Sequence, residues 1–224
     1  MTLAIVVPVY NEEKNIVKLL NDWNKEIKKN YKKKYKFIIV DDGSTDSTNK
    51  AIRSIKNKNF FYKFQKNAGH ANACLTGYKI AIKKKFKIIL QIDSDNQCDP
   101  IYLKKFLKMF KNNQIIFGHR ISRDDGYLRL IFSRILSILI FLKKQVYVRD
   151  ANVPYRMFTK KILSKNIKKI PKEIILKNVY LSYLFEKHYK IKWINMNFRQ
   201  RYHGQTTHGF KNLIKQLLNL MYYI

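Results

Sequence analysis

The sequence predicts an α/β protein whose mainly parallel central sheet is flanked by helices. Three observations carry this expectation. Short β-branched runs alternate with helical patterns through the first third of the chain, as in successive βαβ units. Polar, acidic clusters follow directly on three of those runs, at the carboxyl ends of strands where an open parallel sheet forms its ligand crevice. The later part of the chain adds helical patterns with apolar faces rather than a second alternating set.

Each element has its own signal. Leu3 to Val7 reads as the first strand, and Ile16, Leu19, Leu20, Trp23 and Ile27 recur at helical spacing after it. Phe37 to Val40 is the second strand and ends in Asp41-Asp42-Gly43-Ser44. A helix is expected from Thr45, a strand at Phe60 to Phe64, a helix from Ala68 to Lys84, and a strand from Lys87 to Ile92 that runs into Asp93-Ser94-Asp95. Beyond Pro100 the pattern predicts a helix to Lys111, a strand at Gln114 to Gly118, and an amphipathic helix from Tyr127 to Leu142. A strand at Val153 to Phe158, a helix at Glu173 to His188 and a strand at Ile191 to Met196 follow. A tail helix carries Phe210, Leu213, Ile214, Leu217, Leu218 and Met221 as one apolar stripe.

Length and composition bound the rest. The 224 residues suit one domain, here 1–224, with a nucleotide-binding half (1–100) and an acceptor-binding half (101–224). An apolar share of 46% excludes a disordered chain. The 46 Lys and Arg against 15 Asp and Glu give a formal charge of +31, which favours anionic partners. Abundant Lys, Asn, Ile, Tyr and Phe also fit AT-rich coding, so the charge alone does not choose among such partners. Two cysteines make neither a disulfide framework nor a zinc site. The chain opens on a strand-like run without signal-peptide features, and Arg129 and Arg134 interrupt its longest apolar stretch. These features predict a cytoplasmic protein that lies on a membrane rather than crossing it.

The most specific motif is Asp93-Ser94-Asp95 at the end of an apolar strand. Two carboxylates two residues apart in a turn offer hard oxygens to Mg²⁺ or Mn²⁺, which can bridge a diphosphate. Asp41 and Asp42 offer acceptors to base or ribose donors, and equally suit the N-terminus of the helix that follows. Together with Pro8-Val9-Tyr10-Asn11-Glu12 and Asn67-Ala68-Gly69, these clusters strongly resemble family 2 of the GT-A fold glycosyltransferases over residues 3 to 100. The resemblance implies a Rossmann-like GT-A fold and a nucleotide-sugar pocket lined by Pro8, Tyr10, Glu12, Asp41, Asp42, Asn67 and Asp93. It implies Asp93 and Asp95 as metal ligands, with Asp95 central to catalysis.

Further on, the run from Asp93 to Pro100 resembles the dolichyl-phosphate-mannose synthase branch, which adds Gln97 as a further metal ligand, although Asn96 stands where Gly is usual and Cys98 where His is usual. Gly118-His119-Arg120, Arg129 and Ser133 resemble the stretch that holds the lipid phosphate in polyprenyl-phosphate glycosyltransferases. Arg129 also suits the simpler task of keeping an amphipathic helix soluble. Arg201-x-x-Gly204-x-Thr206 resembles an element of that branch that reaches toward the phosphates, and Asp150 with Pro154-Tyr155-Arg156 resembles its D-x-x-x-G-F-R stretch more loosely. Arg120, Arg129 and Arg201 join Asp95 as the expected catalytic set.

The resemblance thus implies an inverting transfer of a sugar from a GDP- or UDP-sugar to polyprenyl phosphate at an anionic membrane surface. A phosphate acceptor is already anionic and needs arginines more than a general base. Transfer to a glycan or lipopolysaccharide hydroxyl is the second reading. A basic membrane- or nucleic-acid-binding protein with a vestigial site is the third, and the retained acidic residues count against it, so no nucleic-acid partner is expected.

Overall fold

The computed structural model describes residues 1–122, 127–199 and 210–224; the side chains of 122–133, 210, 211 and 213 also fall outside the described set. Seven strands form one sheet in the order β3-β2-β1-β4-β6-β5-β7. They are β1 (Leu3–Val9), β2 (Tyr35–Asp41), β3 (Phe60–Phe64), β4 (Ile88–Gln91), β5 (Ile115–Ser122), β6 (Arg156–Thr159) and β7 (Lys192–Asn197). β1 pairs in parallel with β2 and β4, β2 with β3, and β5 with β7; β6 runs antiparallel to both β4 and β5. The mainly parallel sheet expected from the sequence is therefore present. One reversed strand interrupts it.

Strand alternation sorts the core onto two faces. Leu3, Ile5, Val7 and Val9 pack with Trp23 and Ile27 of α1 (Ile16–Asn30) and with Phe106 of α4 (Leu103–Phe110). Ala4 and Val6 face Ala73, Tyr78 and Ala81 of α3 (His70–Lys83), with Leu163 of α6 (Lys160–Ile167) and Phe185 of α7 (Lys177–His188). α3 lies unusually close to β1, because a Cβ on Gly77 would come within 2.4 Å of Val6 Cγ1. A third cluster joins α5 (Tyr127–Lys144), α7 and α8 (Phe210–Tyr223) through Leu136, Ile140, Val179, Leu184, Leu220 and Ile224.

Several boundaries differ from the sequence expectation. The helix expected from Thr45 is α2 (Thr48–Ser54), because residues 44–47 are held by side-chain bonds to the loop after β1. α7 begins at Lys177 rather than Glu173, and β6 at Arg156 rather than Val153. α6 was not expected; Thr159 caps its start by accepting from the Ile162 N–H.

The tail stripe also divides. Leu217 and Met221 pack partly buried against the third cluster, whereas Ile214 and Leu218 face outward, and the fully buried tail positions are Leu220 and Ile224, outside the expected stripe.

Candidate nucleotide-sugar site

Strand order turns about β1, whose neighbours β2 and β4 lead the chain in opposite directions. A crevice opens at such a point, beyond the carboxyl ends of the strands. The ends of β1, β2 and β4 bring together the three acidic clusters singled out in the sequence.

Pro8 is buried within β1, beyond the last residue paired with β4, so its missing N–H breaks no bond on that side. Tyr10 is 39% exposed, leaving its ring accessible. Asn11, at φ 52°, turns the chain and binds the loop after β2: its N–H reaches Ser44 Oγ at 3.0 Å and its Oδ1 accepts from the Thr45 N–H at 2.8 Å. Glu12 is nearly buried, its N–H donating to Thr48 Oγ1 and its Oε2 accepting from Asn15 Nδ2. The loops after β1 and β2 are thus zipped together.

Asp41 and Asp42 divide their labour. Asp41 Oδ1 accepts from the Ser44 N–H at 2.9 Å and fixes the turn at the end of β2. Both oxygens of Asp42 are engaged by the next loop: Oδ1 accepts from Gln65 Nε2 at 2.6 Å and the Ala68 N–H at 3.0 Å, and Oδ2 from the Gly69 N–H at 2.7 Å. Gly43, at φ 76°, permits this approach, since a Cβ there would lie 2.7 Å from the Asn67 nitrogen. Asp42, expected at the nucleotide pocket, braces the 65–69 loop, and Asn67 is presented at the surface on that brace.

Asp93 is gripped from beneath. Its Oδ1 accepts from Gln91 Nε2 at 3.0 Å and stands 3.0 Å from His70 Nε2, while Gln91 Oε1 accepts from the Tyr78 hydroxyl. Burial alone would raise the Asp93 carboxyl, but His70, with Arg156 and Arg120 beyond it, holds it below the usual carboxylate range. The His70 side chain is half exposed; partial desolvation works to lower its imidazole, yet Cys74 and Asp93 carry it well above its ordinary value. Asp95 Oδ1 accepts from the Gln97 N–H at 3.1 Å, and Asn96 takes the left-handed conformation, φ 64°, that the turn requires.

This loop suits a hard divalent ion. Its donors are carboxylate and amide oxygens, and Asn96 Oδ1 is buried with no hydrogen-bond partner among the described residues. Among those residues no three acidic, His or Cys groups converge, so an ion held by Asp93, Asp95 and Gln97 would draw further oxygens from phosphate and water. Cys98, where His is usual, is buried in the main core; burial and the two aspartates push its thiol well up, so it stays protonated.

On the acceptor side, the guanidinium of Arg120 on β5 makes a bidentate pair with Asp150, Nε to Oδ2 at 2.8 Å and Nη2 to Oδ1 at 2.7 Å. The two residues singled out separately in the sequence are thus partners. Arg156 is wholly buried, donating to the Val153 and Asn178 carbonyls and to Ser182 Oγ, so this end of the loosely matched motif is a support and not a surface. Arg129 and Ser133 lie on α5, but their side chains, and all of Arg201, fall outside the described residues. The contribution of His70 and Gln91 was missed. A glutamine closing the apolar run Ile88-Ile89-Leu90 was the available signal for the second.

Comparison with known proteins agrees with this fold. The sequence model described as Glycosyl transferase family 2 matches residues 4–170. A UDP-N-acetylglucosamine–dolichyl-phosphate N-acetylglucosaminyltransferase of Methanococcus voltae is 28% identical over 191 residues, 74% of this chain and 74% of that protein. An undecaprenyl-phosphate 4-deoxy-4-formamido-L-arabinose transferase of Proteus mirabilis is 24% identical over 228 residues, covering 98% of this chain but 65% of that protein, so the chain spans under two thirds of that relative. Among solved structures, glucosyl-3-phosphoglycerate synthase from Mycobacterium tuberculosis, in complex with Mn²⁺, UDP and glucosyl-3-phosphoglycerate, superposes with a TM-score of 0.71 at 14% identity, over 99% of this chain and 79% of that one. That likeness shows a shared GT-A fold.

Proposed function

The chain belongs to glycosyl transferase family 2, and on that premise we propose that it moves a sugar from a nucleotide-sugar donor to a polyprenyl phosphate at a membrane surface, inverting the anomeric centre. The observation that carries the reading is the convergence of Asp41, Asp93 and Asp95 at the turning point of the sheet. Two relatives whose names specify dolichyl phosphate and undecaprenyl phosphate as acceptors support the acceptor class.

In this reading the donor's nucleoside lies against Tyr10 and Asp41, near Asn67. The acceptor phosphate oxygen attacks the anomeric carbon as the bond to the diphosphate oxygen breaks, and the nucleoside diphosphate departs. The attacking oxygen carries its own charge, so no side chain need remove a proton. Asp93, Asp95 and Gln97 would hold Mg²⁺ or Mn²⁺, which would supply positive charge against the departing diphosphate. Arg120, Arg129, Ser133 and Arg201 are assigned to the acceptor phosphate, arginine because its planar fork donates paired hydrogen bonds and stays charged.

The surface suits the proposed location. No helix of the described residues is long and apolar enough to cross a membrane. Ile135, Ile138, Phe141 and Leu142 of α5 and Ile214, Leu218 and Tyr222 of α8 are nonetheless exposed, with Arg134, Lys143 and Lys144 beside them. Helices of this kind bind the interface through apolar area and attraction to anionic lipid.

The test is a panel of nucleotide sugars incubated with Mn²⁺ and a short polyprenyl phosphate, with radiolabel scored in the organic phase. Label is expected there, lost with excess chelator and in Asp95→Asn. Label that appears only on added glycan would favour the hydroxyl-acceptor alternative.

A further inference from the structure

We propose that Arg199 and Asp99 are positioning residues, whose ion pair fixes Asp95 and Gln97 in the arrangement that takes a divalent ion together with a nucleoside diphosphate. The proposal rests on the metal and donor reading above and deepens it.

Ile92 still bonds to the Val6 carbonyl of β1, but residues 93–99, which join it to the single 3₁₀ turn Pro100–Tyr102 ahead of α4, belong to no strand. Ordering such a loop costs about 1–2 kcal/mol of backbone entropy per residue, so something must hold it. Besides the bonds of His70 and Gln91 to Asp93, restraint comes from the end of β7 and the residues just past it. The Asn197 N–H donates to the Tyr102 hydroxyl at 3.0 Å, and the Arg199 N–H donates to the Gln97 carbonyl at 3.0 Å. The Arg199 guanidinium then spans Asp99, Nε to Oδ2 at 2.9 Å and Nη2 to Oδ1 at 2.8 Å.

These contacts form a continuous path to the metal ligands. One residue, Gln97, receives Arg199 at its carbonyl while its own N–H holds Asp95 Oδ1 at 3.1 Å. Asp99 is tied in from the other end, because its Oδ1 also caps the 3₁₀ turn by accepting from the Ile101 N–H at 2.9 Å. An exposed ion pair is worth only about 0–1 kcal/mol. This pair differs in being two-pronged, partly shielded and continued through backbone bonds, so it sets geometry rather than bulk stability. If the fork is lost, the Gln97 peptide keeps the bond from the Arg199 N–H but loses the anchor through Asp99, and its N–H is held less firmly on Asp95.

Calorimetric titration of the full chain with UDP and with GDP, each with and without Mn²⁺, tests this on wild type, Arg199→Ala, Arg199→Lys, Asp99→Asn and the Ala/Asn double variant. Asn keeps the capping oxygen and removes only the charge. Each of Arg199→Ala and Asp99→Asn is expected to weaken Mn²⁺-dependent binding about tenfold, the double no further than the worse single, with Arg199→Lys intermediate. Metal-free binding and the thermal midpoint should change little. Additive losses, equal weakening with and without Mn²⁺, or unchanged affinity in the variants would overturn the proposal while leaving the donor site standing. A wild-type chain that binds neither nucleotide in Mn²⁺ would overturn the donor reading and this proposal together.

Discussion

His70 Nε2 stands 3.0 Å from Asp93 Oδ1, and Gln91 Nε2 reaches the same oxygen at 3.0 Å. A helix start and a strand end therefore clasp one carboxylate oxygen from two directions. Replacing His70 with Ala should leave the fold intact but let the carboxylate turn, lowering kcat/KM for the donor about tenfold, the worth of one charge-assisted hydrogen bond. His70→Gln, which keeps a donor on a side chain of similar reach, should recover most of that loss. Steady-state kinetics over a range of donor concentrations decides it; equal activity in the wild type and Ala variant would remove His70 from the site.

Asp41 and Asp42 separate binding from stability. Asp42→Ala would strand the Gln65, Ala68 and Gly69 donors, each left unmet at a cost of about 1–3 kcal/mol where water cannot replace the lost partner. Allowing for water at this half-open loop, a total of about 3 kcal/mol should lower Tm by about 6–12 °C in a chain of this size. Asp41→Ala loses a single local bond and should shift Tm far less, while weakening binding of the nucleoside diphosphate at least tenfold. Thermal melts and calorimetry on the two variants check the contrast. A reversed pattern would exchange their roles.

The contrast also shows what the sequence could disclose. Strand ends are legible because β-branched runs stop abruptly at acidic clusters, so Asp41, Asp42, Asp93 and Asp95 were found together. Which of them faces a ligand depends on partners distant in the chain. Asp42 binds the 65–69 loop, and Arg120 finds Asp150 30 residues away; no local pattern encodes either pairing. The same holds for Asp99 and Arg199, 100 residues apart. The run Val153 to Phe158 reads as a strand, but the antiparallel direction of β6 is fixed by pairing with β4 and β5 and has no sequence signature.

Glu186 gives a pH dependence outside the site. Burial pushes its carboxyl from 4.5 up to about 7, against the opposing pull of the Trp193 N–H, 3.1 Å away, and of Arg149. A raised value means that the folded chain holds the proton more tightly than the unfolded one, so stability falls as pH rises between about 4.5 and 7 and the cost is full above that window. The full shift would correspond to about 3 kcal/mol. The side chain is only half-buried, and solvent screening reduces this to about 1 kcal/mol. Glu186→Gln should therefore raise Tm by about 2–4 °C at pH 8 and leave it unchanged at pH 4. Paired melts across this range provide the check, and a constant offset at all pH values would refute the assignment.

The exposed apolar residues of α5 and α8 lead to the last prediction. Each helix is anchored inward, Leu136 and Ile140 on one and Leu220 on the other with Ile224 just past its end, and Lys143 Nζ donates to the Met221 carbonyl between them. With the inner stripes already packed, Ile138, Leu142, Leu218 and Tyr222 are not needed for the core and remain 54%, 65%, 64% and 81% exposed. Burying such a side chain in an apolar phase is worth about 1.5–3 kcal/mol, and each neighbouring Lys or Arg adds about 1 kcal/mol on an anionic leaflet. Flotation with vesicles containing phosphatidylserine should recover the protein, and Leu218→Asp or Ile138→Asp should each lower the partition coefficient about tenfold or more without moving Tm. Raising the salt should weaken the remaining attraction, because charges beyond a Debye length of about 10 Å at 0.1 M are screened. Should both Asp variants float as well as wild type, these stripes do not meet lipid, and the acceptor would have to reach the site from solution.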